Sequence, residues 1–306
     1  MTIPGLENAA VGSPITRLGV SFFPVYLQDN PLPSIDTGDS SGLIVSEFDV
    51  ATVEALQVTN PTGKPILIVE GEHFTGGKQN RTINATVLVP AGSRLDIPVS
   101  CLEQGRWGRH RTWRRAEAFA PETIRKRKRA SVNRSFSVNR NRMSDQHAIW
   151  DDISAMLRRE DVASPTSAAE ELEESYKRHH SRRKVVEALV ERGPLPGQCG
   201  IVVAHGRDVT AMDLFGAPLL LVKHWGALVR SHFIESGPST GRPSATLALK
   251  RIRRLGTSPA ETAPGVGLGS EHRITGHRLT GQALVLDDML IHASFSHDTG
   301  RSTLHG

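Results

Sequence analysis

The stretch GGKQNRTINATVLVPAGSRLDIPVSCLEQGRW, Gly76 to Trp107, decides the fold. Two apolar runs inside it, TINATVLVP (82–90) and RLDIPVSCLEQ (94–104), read as strands. Only a few turn residues, Pro90-Ala91-Gly92-Ser93, join them. A crossover helix does not fit in so short a connection, so these closely spaced strands read as an antiparallel sheet or a sandwich-like half. Upstream, GVSFFPVYL (19–27), ALQVTNP (55–61) and PILIVEGEHF (65–74) carry the same Val, Ile and Leu signal. Turn chemistry at Asn60-Pro61-Thr62-Gly63 and Gly76-Gly77 punctuates them. Polar clusters close the quoted stretch at both ends, Lys78-Gln79-Asn80-Arg81 and Glu103-Gln104-Gly105-Arg106.

The middle of the chain, from about Ala116 to Arg192, changes period. SDQHAIWDDISAMLRR predicts a helix capped by Ser144, with Ile149, Trp150, Ile153, Met156 and Leu157 on one face. SPTSAAEELEESYKRHH predicts a second, starting at Pro165 or Thr166, with acids early and bases late to suit the helix dipole. A third ends at Gly193. Strands return at GIVVAHG (200–206) and DVTAMDLF (208–215), and 218–237 predicts a helix that turns Leu219, Val222, Trp225, Val229 and Phe233 to the core. A surface excursion is expected over 238–268, and TGQALVLDDMLIHASFS predicts a hairpin turning at Asp287-Asp288. The fold class is therefore α+β, a mainly antiparallel sheet with a helical layer inserted in mid-chain. The expected organisation is a flexible tail over 1–15, one composite domain over 16–296, and a C-terminal tail over 297–306. Within that domain, 16–112 is the β-rich half, 113–195 the basic arm and helical layer, and 196–296 the strand-helix-hairpin half.

The net charge of +5 conceals an asymmetry. Residues 106–142 hold thirteen Lys or Arg against Glu117 and Glu122, about +11, leaving about −6 for the remainder. Such a segment attracts polyanions. A solvated basic arm is one reading of it; an adaptor that binds nucleic acid or an acidic partner through Arg125 to Arg129 is another. Zinc-finger and RNA-recognition signatures are absent. No apolar run is long enough to span a membrane and no secretory leader is visible, so a cytoplasmic protein is expected. Cys101 and Cys199 are too few for a disulfide framework. A third reading, a subunit of a larger assembly, requires an exposed apolar face on the 218–233 helix.

Chemistry resides in the clusters. EGEHFTGGKQNR sets carboxylates beside glycines and directional donors, a mixture suited to a ligand bearing hydroxyls and phosphate. Arg81 and Arg106 are expected to hold phosphate, Asn80 and Gln104 to orient hydroxyls, Trp107 to stack a base, and Glu72 or Glu103 to act as general acid or base. Cys101, with a distant His205 or His224, is a candidate nucleophile. A buried polar network that only fixes strand register explains the same residues. No G-x-S-x-G, Walker A, H-E-x-x-H or C-x-x-C motif occurs. No two-ligand spacing supports a metal site built from Glu70, Glu72, His73, Asp213 and His224, and no cofactor is indicated.

The segments EGEHFTGGKQNRTINATVLVPAGSRLDIPVSCLEQGRW, SDQHAIWDDI, LPGQCGIVVAHGRDVTAMDLF and TGQALVLDDMLIHASFS resemble the ARG and rhodanese-phosphatase-superfamily-associated protein domain. The resemblance runs from about Thr16 to Ser296. It implies a role near ADP-ribose or NAD-derived metabolites, in a pathway linked to ADP-ribosylglycohydrolases, with no established reaction. Carried over by position, the family-like polar residues are Glu72, Lys78, Gln79, Asn80, Arg81, Asn84, Ser100, Cys101, Glu103, Gln104, Arg106, Asp145, Gln146, Gln198 and Asp213. Of these, Glu72, Glu103 and Cys101 are expected to be catalytic, and Lys78, Gln79, Asn80, Arg81, Asn84, Gln104, Arg106, Asp145, Gln146, Gln198 and Asp213 to bind the ligand. After Gly71 the family pattern leads one to expect Glu-Glu-Leu, whereas this chain reads Glu72-His73-Phe74. That departure replaces a second acid with an imidazole.

Overall fold

Short strands and close turns build the first third of the chain in the computed structural model, which describes residues 3–28, 31–48, 52–106, 111–235 and 239–298. In order come β1 (Ala10–Val11), β2 (Ile15–Arg17), β3 (Val20–Tyr26), β4 (Asp36–Thr37), β5 (Ile44–Ser46) and β6 (Ala55–Asn60). Then follow β7 (Ile66–Ile68), β8 (His73–Gly77), β9 (Arg81–Ile83), β10 (Val87–Val89), β11 (Ser93–Cys101) and β12 (Arg111–Arg115). The helical layer is α1 (Glu122–Asn139), α2 (Gln146–Arg159), α3 (Glu170–Arg178) and α4 (His180–Arg192). The remainder is β13 (Gly200–His205), β14 (Asp208–Phe215), α5 (Pro218–Ile234), α6 (Ala245–Thr257), β15 (Ala260–Pro264), β16 (Ser270–Gly276), β17 (Leu279–Leu286) and β18 (Met289–His297).

These strands form an α+β fold. Nine make one sheet, in the order β1-β3-β13-β14-β18-β17-β16-β15 with β2 also on β3; six make β12-β8-β9-β11-β6-β5; three make β10-β7-β4. Among the described residues only the β4–β7 pair is parallel. β13 is apolar on consecutive residues because both of its faces are covered. Ile201 and Val203 join the core under α5, with Leu221, Trp225 and Phe233. Val202 and Ala204 join the opposite core, with Ile252 and Leu255 of α6. Fully burying each such side chain is worth roughly 1.5–3 kcal/mol. At the β17–β18 hairpin, Asp287 and Asp288 both take positive φ, 49° and 58°, as the favoured two-residue hairpin turns demand. No helix among the described residues is long and apolar enough to cross a membrane.

Several expectations need correction. The first residues are no tail, because Ile3 and Leu6 are buried against α6 and Ile3 N–H donates to Gly256 O. The 238–268 excursion is part of the core: α6 buries Ala248, Ile252 and Leu255, and β15 extends the large sheet. In α5, Trp225, Val229 and Phe233 are buried as expected, but Leu219 and Val222 are exposed and Leu220, Leu221 and Leu228 take the core instead. The opening run Leu219-Leu220-Leu221-Val222 is apolar on every side and gives periodicity no polar face from which to set its phase there. Asp145, not Ser144, caps α2, accepting from Ala148 N–H. α3 begins at Glu170, and the 165–169 segment is a turn whose Thr166 carbonyl accepts from Gln104 and Gly105 N–H.

The largest correction concerns the basic run. It is no solvated arm: Arg125, Lys128 and Arg129 lie on α1 and are completely buried. Beneath α1 the large sheet presents a polar row, Asp213, Ser294, Gln282 and Arg273, directly opposite one another on β14, β18, β17 and β16. Glu70 reaches the same space from beyond the end of β7. Its carboxylate meets Lys128 Nζ at 2.7 Å, Arg129 Nη2 at 2.8 Å and Arg125 Nη2 at 3.4 Å, while Arg125 also holds Asp213 at 2.6 Å. The cations hold the Glu70 carboxyl well below the usual carboxylate range, against the opposing effect of burial, and burial pulls Lys128 down to about 8.

Glu70 is aimed there by a turn. Glu72 N–H donates to Val69 O at 3.1 Å, and Gly71, at the third position, has φ +92°. That conformation defines a type II turn and favours glycine. A Cβ on Gly71 would also lie 2.3 Å from Arg125 Nε. Gly71→Ala is therefore expected to lower stability by about 3 kcal/mol or more, combining left-handed strain with displacement of a buried guanidinium. Urea denaturation checks this, and a loss under about 1 kcal/mol would contradict it.

Candidate functional site

The same turn that sends Glu70 inward sends Glu72 the other way, into a cleft. Gly38, Asp39, Glu72, His73, Arg115, Ala116, Phe119, Lys223, His224 and Ala227 line about 60 Å³ of open space. Every wall comes from a different part of the chain: the turn and the start of β8, the end of β12, the loop after β4, and α5. Glu72 accepts from Val69 N–H and from Arg115 Nε–H, both at 2.6 Å. Arg115 spends Nη1 on Gly38 O, and its Nη2 has no hydrogen-bond partner.

Two imidazoles face this space with defined tautomers. Thr37 Oγ1 gives its proton to Leu67 O at 2.8 Å, so the 2.7 Å contact with His224 Nε2 requires the ring to donate. His224 Nδ1 is then a lone pair, 3.9 Å from Glu72 and beyond hydrogen-bond reach. Burial lowers the pKa of His224 to about 4, so it is neutral at physiological pH, stacked on Phe215. His73 is 2% exposed; its Nδ1 lies 2.7 Å from Glu173 Oε1, and its Nε2 has no partner. An ionised carboxylate only accepts, so Nδ1 carries the proton and Nε2 the lone pair. Two imidazoles, each with one ring nitrogen left to accept, and a guanidinium with one unpartnered nitrogen thus line one cleft.

The two polar clusters foreseen from the sequence do converge. Arg81 sits opposite Cys101 on β9 and β11, and Arg106 reaches Gly76 O, Gly77 O and Asn80 Oδ1. They converge on each other rather than on an open space. Glu103 takes Arg106 Nε, Thr166 Oγ1 and Asn80 N–H; Gln79 donates to Gln104 O and accepts from Arg81 and from the Cys101 thiol. Gln79, Asn80, Arg81, Cys101 and Glu103 are all buried, whereas Gln104 is exposed and Lys78 and Arg106 are partly so. Burial pushes the Cys101 thiol up to about 11, the opposite of what a nucleophile needs, so Cys101 leaves the catalytic set. Trp107 lies outside the described residues.

The other foreseen residues have structural work. Gln146 clamps both backbone groups of Cys101, Asn84 accepts from Ser100 and donates to Arg142 O, and Asp145 caps α2. Gln198 ties Leu195 to Gly200, and Asp213 belongs to the Glu70 cluster. The corner nonetheless serves the cleft. Asn80 donates to Glu170, which also holds Arg114, and Glu103 holds Thr166 just before α3. Together they anchor the helix that carries Glu173 to His73.

Of the foreseen site residues only Glu72 is in the cleft. Arg115, missed, was hidden inside a basic run read by its total charge. His224 was weighed only as a thiol or metal partner, and Glu173 was absorbed into a helix-dipole pattern. The one available signal was the His73 departure beside Gly71.

An α+β protein with a small, two-histidine polar cleft is the class that fold and site define. Residues 8–296 match the model of the ARG and Rhodanese-Phosphatase-superfamily-associated Protein domain, nearly the whole chain, and the protein belongs to that family. No curated protein and no solved structure matches it.

His224 links the cleft to pH. The unfolded ring takes a proton near 6.5 and the folded ring only near 4, so its contribution is complete above 6.5 and is lost as pH falls towards 4. The stability difference between wild type and His224→Phe is expected to shrink by on the order of 3 kcal/mol between pH 7 and pH 4, read by urea unfolding at each pH. Parallel pH curves for the two proteins would contradict it.

Proposed function

We propose that this protein binds the ribose-like, hydroxyl-bearing end of an ADP-ribose-like or NAD-derived metabolite in the cleft beside Gly71, and processes it there. One observation carries the reading: His73 Nε2 and Arg115 Nη2 are buried polar atoms without hydrogen-bond partners on two side chains that line a common cleft, with His224 on the same wall. A hydroxyl both donates and accepts, so a diol answers imidazole acceptors and a guanidinium donor together. Charges on the wall balance, Arg115 and Lys223 against Glu72 and Asp39, which favours a neutral polyol over a buried phosphate. The phosphate-bearing part then lies at the rim, where Lys223 is exposed. A space of about 60 Å³ takes one end of such a ligand and not the whole. The association written into the family's description supports the same ligand class.

The adaptor alternative has lost most of its charge. Arg125, Lys128 and Arg129 are buried, and Lys126, Arg127, Arg140 and Arg142 pair with Asp298, Asp152, Glu261 and Glu271. No observation favours it.

Isothermal calorimetry with ADP-ribose, ribose 5-phosphate and ribose tests the proposal. All three are expected to bind, ADP-ribose most tightly. Arg115→Ala is expected to weaken ADP-ribose by about tenfold or more, the worth of one charge-assisted hydrogen bond. Lys223→Ala, at an exposed position, is expected to weaken ADP-ribose several-fold at low salt and leave ribose unchanged. No heat with any of the three at millimolar concentration would overturn the reading.

A further inference from the structure

We infer that His73 and Glu173 form a proton-transfer pair, and that the cleft hydrolyses a carboxylic ester carried by the polyol it binds. This rests on the binding reading above and goes beyond it by naming a reaction. The geometry is that of an oriented general base. Glu173, from α3, fixes the proton on His73 Nδ1 through a 2.7 Å contact in which both side chains are buried, 0% and 7% exposed. The opposite nitrogen, Nε2, is buried and without a protein partner on a ring that lines the cleft. A buried polar atom left unsatisfied costs about 1–3 kcal/mol, so retaining one beside an open space marks where a ligand or water belongs.

Arg115 supplies the second half. Its Nη2–H has no acceptor, while Glu72 and Gly38 O hold the rest of the guanidinium still. A single fixed donor suits the single negative charge that develops on a carbonyl oxygen. The balanced wall argues against a dianionic phosphoryl group as the reacting centre. In the step, a water oxygen bonds to the ester carbonyl carbon as His73 Nε2 takes one of its protons, and Arg115 Nη2–H meets the resulting oxyanion. The tetrahedral centre collapses, the carbon–oxygen bond to the sugar breaks, and the imidazolium returns the proton to the departing alkoxide. Ester and water become acid and alcohol, with no other reactant. His73 is the catalytic residue and Glu173 a positioning residue. The charged and titratable groups around His73 and its cleft are Glu72 from the Gly71 turn, Arg115 from β12, Asp39 from the loop after β4, Glu170 and Glu173 from α3, and Lys223 and His224 from α5.

The test uses the full chain and an acetyl ester of ADP-ribose, with acetate release followed by proton NMR in ¹⁸O-enriched water and ADP-ribose binding measured in parallel. Wild type is expected to release acetate above the buffer control, with the label in acetate and none in the sugar. His73→Asn keeps a donor at the Nδ1 position for Glu173 and removes Nε2. It is expected to slow release by about 100-fold or more at saturating substrate, well beyond the roughly tenfold that losing the Nε2 acceptor costs ADP-ribose affinity. Glu173→Gln is expected to slow release about tenfold and to move the acid limb of kcat/KM to lower pH, an effect that a purely structural role would not produce. ADP-ribose binding without acetate release, or full activity in His73→Asn, overturns the ester hydrolysis and leaves the binding reading standing. Absence of ADP-ribose binding together with absence of release overturns both.

Discussion

The interior rests on one carboxylate. Glu70 is completely buried and accepts the charge of three cations, Arg125, Lys128 and Arg129, that one face of α1 presents together. A helix so charged cannot enter a core by its apolar surface alone, because an unpaired buried charge costs several kcal/mol. The large sheet answers with Asp213 and a row of hydroxyl and amide side chains, and the turn after β7 answers with Glu70. α1 becomes the seam between the two halves of the chain.

The cleft is a by-product of how that seam is made. A type II turn places successive carboxylates on opposite sides of Gly71, and Glu70 claims one side for the ionic interior. Glu72 is left facing outward, where β12 brings Arg115 and α5 brings His224. On the far side of His73, α3 is held by the Asn80–Glu170 and Glu103–Thr166 contacts. Glu173 thereby meets an imidazole a hundred residues away in sequence. The polar clusters of 78–84 and 100–106 act on the site through this anchoring.

Periodicity and turn chemistry carried most of the architecture. The mainly antiparallel sheets, the strands at 200–206 and 208–215, the Asp287-Asp288 turn, the helical layer and the Gly193 terminus were legible, since each rests on local spacing. The break of the 82–90 run into β9, which pairs with β11, and β10, which pairs with β7 in another sheet, was not. Nor were the first turns of α5, because apolar Leu219 and Val222 share the outer face with Lys223 while Leu220 and Leu221 turn inward. The fate of Arg125, Lys128 and Arg129 was hidden for a different reason. Charge in a sequence reads as exposure until its partners are known, and Glu70 and Asp213 lie far away along the chain. The site was legible only at Glu72 and at the odd histidine behind it. Arg115, Glu173 and His224 come together through tertiary packing that no local pattern encodes.

A double-mutant cycle on Glu70 and Lys128 tests the buried seam most directly. Glu70→Gln alone is expected to lower stability by about 3–5 kcal/mol, because it strands cations in the interior. Glu70→Gln with Lys128→Met is expected to be far less harmful than the two losses summed, a coupling of more than about 1 kcal/mol read by urea denaturation. Strict additivity, with each change costing under about 0.5 kcal/mol, would mean that the basic run faces water and that the two halves are joined by something else.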